Sequence, residues 1–543
     1  MDTDARVKSR DLYLITLLLL LGAVYRVWVL ANTDIVARDG LGYMRLAWEW
    51  QQSPSPAVLR QGQQHPLYPW CIAAVQPWVE RLSGRHDSWP WQWSAQGVNM
   101  AFSLLLIVPM YLLGLILFNH RVAFWATFLF QVLPVPARVL TDALSEGTCL
   151  LGMATAIALL ARACMHWSWL LFFLGGIAGG LAYLARPEGA LPVIAVLLGS
   201  WWVAWKSSAR PACKRLLTCH LALLAGLGAM VVPYCLLIGG LSVKPTFHKL
   251  LNYNAHNCWP SDSPQAANAV RPSSMQAAGA CRLVVAARFT AQWSHDAPCL
   301  LRAAALVSDE VAKGFHYVLW LPALIGLARA VRQWRTGHVN VILALLIAVH
   351  FLVLLRLAYV VHYVSERHTL AIVLAGMYWA MAEVETWYKL GLARLTRLGP
   401  VAAARGAFLF WLAVSVFLIA TGLRIVKPLH EHRRAHRSAG EWLAQHTTIA
   451  DGLTDPYGWA GFYAGRLFEQ RQAVSRAAAG TRCYVVREIG EQDPQKLRVI
   501  EEALAPLTQI TVVYRQQPRG GVGVEILQGI RPNSGPLTFR QVE

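Results

Sequence analysis

The sequence is poor in charged residues for its length. Only 15% of its 543 residues are Asp, Glu, Lys or Arg, whereas 56% are hydrophobic. Because a soluble chain of ordinary composition is about a quarter charged, the composition excludes a set of soluble domains, and it also excludes a disordered chain, a collagen or a coiled coil. The 23 tryptophans suit residues at a lipid–water boundary. We therefore expect a polytopic membrane protein.

Motifs typical of several other protein classes are missing. No zinc-finger or helix-turn-helix pattern accompanies the net charge of +19, so no nucleic acid is expected as a partner. The sequence has no CxxC pair, and no HExxH, GxSxG or DxD-type motif lies in a predicted outer region. We therefore predict no metal site, and nothing in the sequence supports assignment as a hydrolase or a zinc protease. A disulfide among Cys258, Cys281 and Cys299 is left open, since it depends on an oxidising compartment.

Long apolar runs are abundant, and about 20 apolar residues suffice for a helix to cross a bilayer. They predict about eleven transmembrane helices, at about 12–31, 94–118, 122–139, 143–161, 167–185, 187–205, 216–241, 316–331, 339–358, 367–387 and 406–425. Basic residues greatly outnumber acidic ones in every second connecting segment, starting from the N-terminus. Since cytoplasmic loops carry the excess of Lys and Arg, we predict that the N-terminus is inside and the C-terminus outside.

The predicted outer regions are a first outer loop (32–93), a second outer loop (242–315) and a tail. Helix-like and strand-like stretches alternate along the tail, which favours a small extracytoplasmic α/β domain. The sequence thus predicts an all-α transmembrane domain over 1–427 and a small α/β domain over 428–543.

The first outer loop contains the most informative aspartate. Tyr43, Leu46, Ala47 and Trp50 recur at helical spacing, which predicts an interfacial helix over 40–52. Asp39 would lie at its N-terminus, where the helix dipole stabilises a carboxylate. From these residues alone, a capping aspartate without a chemical role is the commoner interpretation.

Four short strings follow one another in an order that resembles a known family. They are Asp39 with an aromatic residue four positions later and then His65-Pro66-Leu67-Tyr68-Pro69, Thr141-Asp142-Ala143-Leu144-Ser145-Glu146, Gly180 to Gly189 with Arg186-Pro187-Glu188, and Tyr363-Val364-Ser365-Glu366-Arg367-His368. Over residues 12–385 the chain resembles the GT-C glycosyltransferases, and is most similar to the group of protein O-mannosyltransferases and the bacterial lipid A aminoarabinose transferase. It departs from that group at Gly40, where many relatives carry a second acidic residue, and at His368, which replaces an aromatic residue.

The resemblance implies a GT-C fold with juxtamembrane helices in the first outer loop. It also implies inverting transfer of a sugar from a polyprenyl-phosphate carrier to a hydroxyl of a glycan, lipid or protein, on the extracytoplasmic side of the plasma (inner) membrane. Asp39 would be the catalytic base, and basic groups would stabilise the departing phosphate. The candidate substrate-binding residues are Arg186, Arg356, Arg367, His65, Tyr43, Tyr68, Lys249, Asp142, Glu188 and His362. No cofactor is expected besides the donor lipid, although a divalent cation is left open.

Structural alternatives accompany several of these residues. Arg186 could extend to the membrane interface, as we expect of Arg26 in the first helix. Arg356 could pair with Glu366, and Asp142 and Glu146 could pair with Arg138, while Glu188 favours a helix N-terminus. Two other functions also stay open: a transporter or lipid flippase, which predicts two related halves, and a surface-glycan polymerase or ligase, which predicts a large loop late in the chain.

Overall fold

The computed structural model describes residues 8–206, 213–251, 299–332, 338–466, 468, 477–478 and 480–532. Cys258 and Cys281, and with them most of the second outer loop, lie outside the described residues. The chain separates into two compact units. Unit 1 contains the chain up to Ala31, Pro54–Cys71 and Gln96–Lys427, whereas unit 2 contains Asn32–Ser53, Ile72–Ala95 and the chain from Pro428.

Helices form most of both units, and every apolar run of the sequence falls on one or two of them. The helices are α1 (Ser9–Ala31), α2 (Arg38–Gln52), α3 (Pro56–Gln61), α4 (Leu67–Ser83), α5 (Ser88–Leu105), α6 (Ile107–Leu117), α7 (His120–Val132), α8 (Pro134–Val139), α9 (Glu146–His166), α10 (Trp169–Ala185), α11 (Leu191–Lys206), α12 (Cys213–Ile238), α13 (Pro245–Leu251), α14 (Cys299–Gly314), α15 (Trp320–Arg332), α16 (His338–Val361), α17 (Leu370–Leu398), α18 (Pro400–Ile425), α19 (Arg434–His446), α20 (Trp459–Tyr463) and α21 (Pro494–Leu504). Short 3₁₀ helices cover Pro187–Ala190, Glu366–Thr369 and Glu431–Arg433.

Among the described residues, seven helical stretches are long and apolar enough to cross a membrane. They are Ser9–Ala31, Ser88–Leu117, Glu146–His166, Pro187–Trp205, Cys213–Ile238, Val339–Val361 and Pro400–Ile425, and Trp169–Ala185 is a shorter apolar helix. The chain is therefore an integral membrane protein, while the number of about eleven crossings and their orientation stay predictions. The run predicted at 122–139 is divided: α7 ends before Leu133, whose backbone is extended, and α8 begins at Pro134. A residue before proline is disfavoured in the helical conformation, which explains the break.

Glycines bring the backbones of α10 and α12 together. A Cβ on Gly176 would lie 2.2 Å from the carbonyl oxygen of Leu223, and a Cβ on Gly226 would lie 2.1 Å from that of Phe173. Real Cβ atoms do not approach carbonyl oxygens so closely, so only glycine fits at either position. Small residues that allow close backbone approach are typical of helix packing in membranes, and this pair fixes the position of α10, which ends just before Arg186.

Arg26 does not extend to the membrane interface, so that expectation is wrong. Its side chain is fully buried and donates from Nε to Ser103 Oγ (2.7 Å), from Nη1 to Gly22 O (3.2 Å) and from Nη2 to Gln131 Oε1. The physical reason is that hydroxyl, amide and carbonyl acceptors are available within the helix bundle, so the guanidinium can form hydrogen bonds there without reaching the headgroups.

Unit 2 contains a four-stranded sheet of β1 (Gly452–Thr454), β2 (Arg482–Glu488), β3 (Thr508–Gln516) and β4 (Val524–Ile530). The strand order is β1-β2-β4-β3, with β1 parallel to β2 and the other pairs antiparallel. Ile500 and Ala503 of α21 pack on Cys483, Val485 and Leu527. The predicted small α/β domain is thus confirmed. The stretches that the sequence predicts as helices, Arg434–His446 and Gln495–Ala505, coincide with α19 and α21, and those that it predicts as strands, Cys483–Val486, Ile510–Tyr514 and Val522–Leu527, overlap β2, β3 and β4.

Unit 2 also includes two stretches of the first outer loop, which the sequence-based division at residue 427 assigned to the membrane domain. Trp459 Nε1 donates to Val36 O (2.9 Å) and Tyr463 OH to Gln92 Oε1 (2.8 Å). Arg437 Nη1 forms an ion pair with Asp34 Oδ1 at 2.5 Å. These contacts hold the residues just before α2 against the tail.

We expect the substitution Gly226→Ala to destabilise unit 1. Its Cβ would force α10 and α12 apart, and overpacking of this kind typically costs about 1–3 kcal/mol. The measurement is the thermal melting of purified protein in detergent. Gly228→Ala is the matched control, because a Cβ there meets only Val232 at 3.7 Å; equal melting temperatures for the two variants would contradict the close approach.

Candidate functional site

A buried ion-pair cluster lies in unit 1 where α10 ends. Arg186 Nη1 contacts Glu146 Oε1 at 2.5 Å, and Arg186 Nε donates to Glu188 Oε1. The Arg186 side chain is only 8% exposed. Because Pro187 follows, Arg186 has an extended backbone (φ −158°, ψ 143°). This turns the chain away from the helix axis and places Glu188 next to Arg186.

Two more basic residues extend this cluster. Arg367 Nε lies 4.0 Å from Glu146 Oε1, and Lys244 interacts electrostatically with Arg186, Glu188, Glu146 and Arg367. Three cations therefore meet two carboxylates. The excess of one positive charge favours binding of an anion. Burial of its ammonium group lowers the pKa of Lys244 to about 8, and the positive charge of Arg186 acts in the same direction. The negative charges of Glu188 and Glu146 raise this pKa and offset part of the effect. We call these five residues the Arg186 cluster.

One carboxylate oxygen of Glu146 is a candidate acceptor for a ligand. Its side chain is 4% exposed, and its Oε2 atom has no hydrogen-bond partner within the described part of the chain. A buried carboxylate oxygen without a donor is unfavourable, so this atom is a suitable acceptor for a hydroxyl group of a bound molecule. The interpretation that Glu146 pairs with Arg138 is replaced by its ion pair with Arg186, which the fold brings to it from α10.

Asn99 of α5 positions Glu146. Its amide group donates to Val139 O (2.9 Å) and Asp142 O (2.8 Å), and its Oδ1 accepts from the backbone N–H of Gly147 (2.8 Å). A Cβ on Gly147 would lie 2.3 Å from that Oδ1, so the close contact requires glycine. Asp142 is itself buried and its Oδ1 accepts from the N–H of Ala143 at 2.7 Å, which favours the structural interpretation of Asp142.

His65 is buried and both ring nitrogens have protein partners. Nδ1 lies 2.8 Å from Tyr183 O and Nε2 lies 2.8 Å from Ser242 Oγ. A carbonyl only accepts, so Nδ1 carries the proton and Nε2 accepts from the Ser242 hydroxyl. Burial, with Lys244 nearby, lowers the pKa of His65 to about 3, so the ring is neutral. Ser242 Oγ also accepts from the backbone N–H of Lys244 (3.2 Å), and His65 thereby positions the Lys244 turn.

The other predicted site residues of unit 1 are more scattered. Arg356 is exposed and its Nη2 contacts Leu250 O at 3.4 Å. Lys249 is exposed on α13, His362 is half-buried just after α16, and Tyr68 is fully buried near the start of α4. The structure thus brings together Arg186, Glu188 and Arg367 in one cluster, with His65 beside it.

Asp39 and Tyr43 belong to unit 2. The predicted helix is present as α2, and Asp39 is half-buried in its first turn, while Tyr43, Leu46 and Ala47 are buried. The helix begins after Ala37, whose side chain forms no capping bond, so Asp39 does not act as the N-cap residue.

Sequence reasoning missed Lys244 and Asn99, as well as His350 and His368, which interact electrostatically with Arg186 and Glu188. A histidine inside the apolar run 339–358 was a usable signal, since ionisable residues in transmembrane helices often mark functional sites. Lys244 and Asn99 carry no such signal. Within the described ranges, no three His, Cys, Asp or Glu side chains converge in a way that could hold a metal ion.

Comparisons with known proteins agree with this fold. Residues 66–236 match the family described as dolichyl-phosphate-mannose-protein mannosyltransferase. Two solved structures resemble the chain at low identity. ArnT from Cupriavidus metallidurans bound to undecaprenyl phosphate has a TM-score of 0.59 and 15% identity, over 96% of this chain and 99% of that one. The archaeal oligosaccharyltransferase AglB from Archaeoglobus fulgidus, in complex with an inhibitory peptide and a dolichol-phosphate, has a TM-score of 0.56 and 13% identity, over 98% and 75%.

A comparison with curated protein sequences gave no match. The structural likeness extends over almost the whole chain, so the fold is that of the GT-C glycosyltransferases, as the four sequence strings predicted.

Lys244 predicts a pH dependence of anion binding. Its pKa near 8 means that the side chain is cationic below pH 8 and loses its charge above, whereas a phosphate monoester, with a second pKa of about 6, is already fully ionised there. We expect the affinity for polyprenyl phosphate to fall as the pH rises from 7 to 9.5. Lys244→Arg, which stays charged, should remove this decline, and an unchanged profile in that variant would contradict the assignment. Binding is measured by titration in detergent.

Proposed function

We propose that this protein is an inverting glycosyltransferase. It transfers a sugar from a polyprenyl-phosphate carrier to the hydroxyl of an acceptor glycan, lipid or protein. The observation that carries the proposal is the Arg186 cluster, a water-poor group with more cations than carboxylates on a GT-C fold. Both similar solved structures are complexes with a polyprenyl phosphate, and the matching family is described by a dolichyl-phosphate-mannose donor, which supports the same donor class here.

Phosphate departure needs positive charge and no acid. When the bond between the anomeric carbon and the phosphate oxygen breaks, the carrier leaves as a phosphate monoester and negative charge grows on its oxygens. Arg186, Arg367 and Lys244 can stabilise this charge because these three cations outnumber the two carboxylates of the cluster. In a site with little water, oriented cations stabilise such charge more strongly than they do in solution. Glu146 Oε2 is suited to accept a hydroxyl of the donor sugar.

Asp39 is proposed to be the general base. The acceptor oxygen forms its bond to the anomeric carbon on the face opposite the phosphate and transfers its proton to a carboxylate, which inverts the configuration. Negatively charged side chains are favoured in the first turn of a helix by the helix dipole, and Asp39 has this position in α2. The predicted topology places the reaction on the extracytoplasmic side of the plasma membrane.

We expect Asp39→Asn to reduce kcat for sugar transfer by about 10²–10⁴-fold, the usual contribution of a positioned base. The assay follows radiolabelled sugar from the carrier to the acceptor, with binding of the carrier phosphate measured in parallel and expected to persist. Glu49→Gln is the control and should keep the activity, since Glu49 lies on the same helix and forms an i,i+4 ion pair with the exposed side of Arg45. An active Asp39→Asn enzyme would end the assignment of the base.

Arg367 and Arg356 give a second, separate prediction. Only Arg367 lies in the Arg186 cluster, so Arg367→Gln should weaken binding of polyprenyl phosphate by about tenfold or more, the usual worth of a charge-assisted hydrogen bond. Arg356→Gln should change it much less. Equal effects of the two substitutions would mean that the cluster is not the phosphate site.

The same preparations test the transporter and flippase alternative. Reconstituted liposomes with labelled lipid-linked sugar report movement across the bilayer, whereas the transfer assay reports a new glycosidic bond. We expect transfer without net transport; transport without transfer would favour the alternative.

A further inference from the structure

A cavity lined by both apolar and charged side chains lies in unit 1, away from the Arg186 cluster. It has a volume of about 610 Å³ and its walls come from the junction of α6 and α7, from α15 and α16, and from α17. Gly326 of α15 allows one wall to form, since a Cβ there would lie 2.5 Å from the carbonyl oxygen of Trp379. Nothing in the proposed transfer reaction uses this cavity.

The cavity contains two ion pairs. Arg329 Nη1 contacts Glu383 Oε2 at 2.7 Å, and Lys389 Nζ contacts Glu385 Oε1 at 2.7 Å. Asn119 Nδ2 also donates to Glu385 Oε2 at 3.2 Å. Both oxygens of Glu385 are therefore satisfied, and both basic side chains remain about half-exposed or more.

Glu383 differs from Glu385. Its side chain is only 2% exposed, and its Oε1 has no hydrogen-bond partner among the described residues. A buried carboxylate oxygen that lacks a donor costs free energy. Because the terminal torsion of a glutamate is broad, a small rotation presents this oxygen to the cavity. The site can therefore take one further hydrogen-bond donor at Glu383, and because its two cations and two carboxylates balance, it suits a ligand whose own charges also balance.

The position of the cavity along α17 indicates that a membrane lipid supplies the donor group. At a rise of 1.5 Å per residue, Glu383 lies ~20 Å along α17 from Leu370, whereas the hydrocarbon core is ~30 Å thick. Because the sequence predicts that this helix crosses the bilayer, we expect Glu383 in the half of the bilayer far from Arg367. Trp387 and Leu390, on the same helix, are exposed apolar residues, which suits contact with acyl chains, and Arg329 and Lys389 suit the headgroup region.

We propose that this cavity binds a zwitterionic membrane lipid with a primary ammonium group, of the phosphatidylethanolamine type. Its ammonium donates to Glu383, its phosphate lies between Arg329 and Lys389, and its acyl chains follow the apolar surface beside Leu390. A trimethylammonium headgroup has no N–H to donate. An anionic headgroup without an ammonium would leave the two balanced ion pairs with an excess of negative charge.

Competition between lipids tests the proposal. Purified protein in detergent is incubated with equimolar dioleoyl phosphatidylethanolamine, its N-methylated and N,N-dimethylated forms, phosphatidylcholine and phosphatidylglycerol, and the bound lipids are counted by native mass spectrometry. A hydrogen bond to a charged group is worth about 1.5–3 kcal/mol, so we expect about a tenfold preference for the ethanolamine lipid over phosphatidylcholine. Each added N-methyl group should reduce this preference. Equal binding of all five lipids would overturn the proposal.

Glu383→Gln supplies the matched variant test. Its side-chain oxygen still accepts from Arg329 but its amide cannot accept from an ammonium, so the preference should fall to about one. Glu385→Gln is the control and should keep the preference, because Glu385 already has Lys389 and Asn119. If Glu383→Gln does not fold, the competition between the ethanolamine lipid and its N-methylated forms in the unmodified protein still tests the proposal. Water-soluble glycerophosphoethanolamine should compete poorly; displacement at equal concentration would exclude a membrane lipid as the source.

Discussion

The arrangement of unit 1 depends on one buried guanidinium. Arg186 is held by Glu146 of α9 and Glu188 of the following 3₁₀ turn, and an arginine so far from water requires such partners. This interaction fixes the end of α10 against the start of α9. It also gathers Lys244 and Arg367 around the same two carboxylates, so that three positive charges meet two negative ones.

The close packing of α10 on α12 and the hydrogen bonds of Asn99 support this interaction from two directions. Gly176 and Gly226 set the separation of the helices, and Asn99 holds the turn that precedes Glu146. His65 adds a third support, since its two ring nitrogens connect Tyr183 to the Ser242 turn from which Lys244 extends. A neutral histidine is suited to this positioning role because its two nitrogens differ, one donating and one accepting.

Unit 1 contains a second carboxylate with one oxygen lacking a donor, Glu383, and its surroundings differ from those of Glu146. Around Glu146 the cations outnumber the carboxylates, which favours a phosphate. Around Glu383 two cations and two carboxylates balance, which favours a zwitterion. The same physical requirement, that a buried charge must find a partner, therefore indicates two different ligands at two depths of one helix bundle.

The sequence by itself determined the class of the protein: apolar runs of bilayer length, the alternating basic loops, the α/β tail and the order of four short strings depend only on local composition and spacing. It also located α2 with Asp39 in its first turn, and Arg186, Glu188 and Arg367 as candidates. Only the tertiary structure decided that Arg26 is buried, that Glu146 pairs with Arg186 rather than Arg138, that His65 is neutral, and that Lys244 and Asn99 belong with them. Those facts depend on contacts between residues that are distant in sequence, and no local pattern encodes which helix end meets which turn.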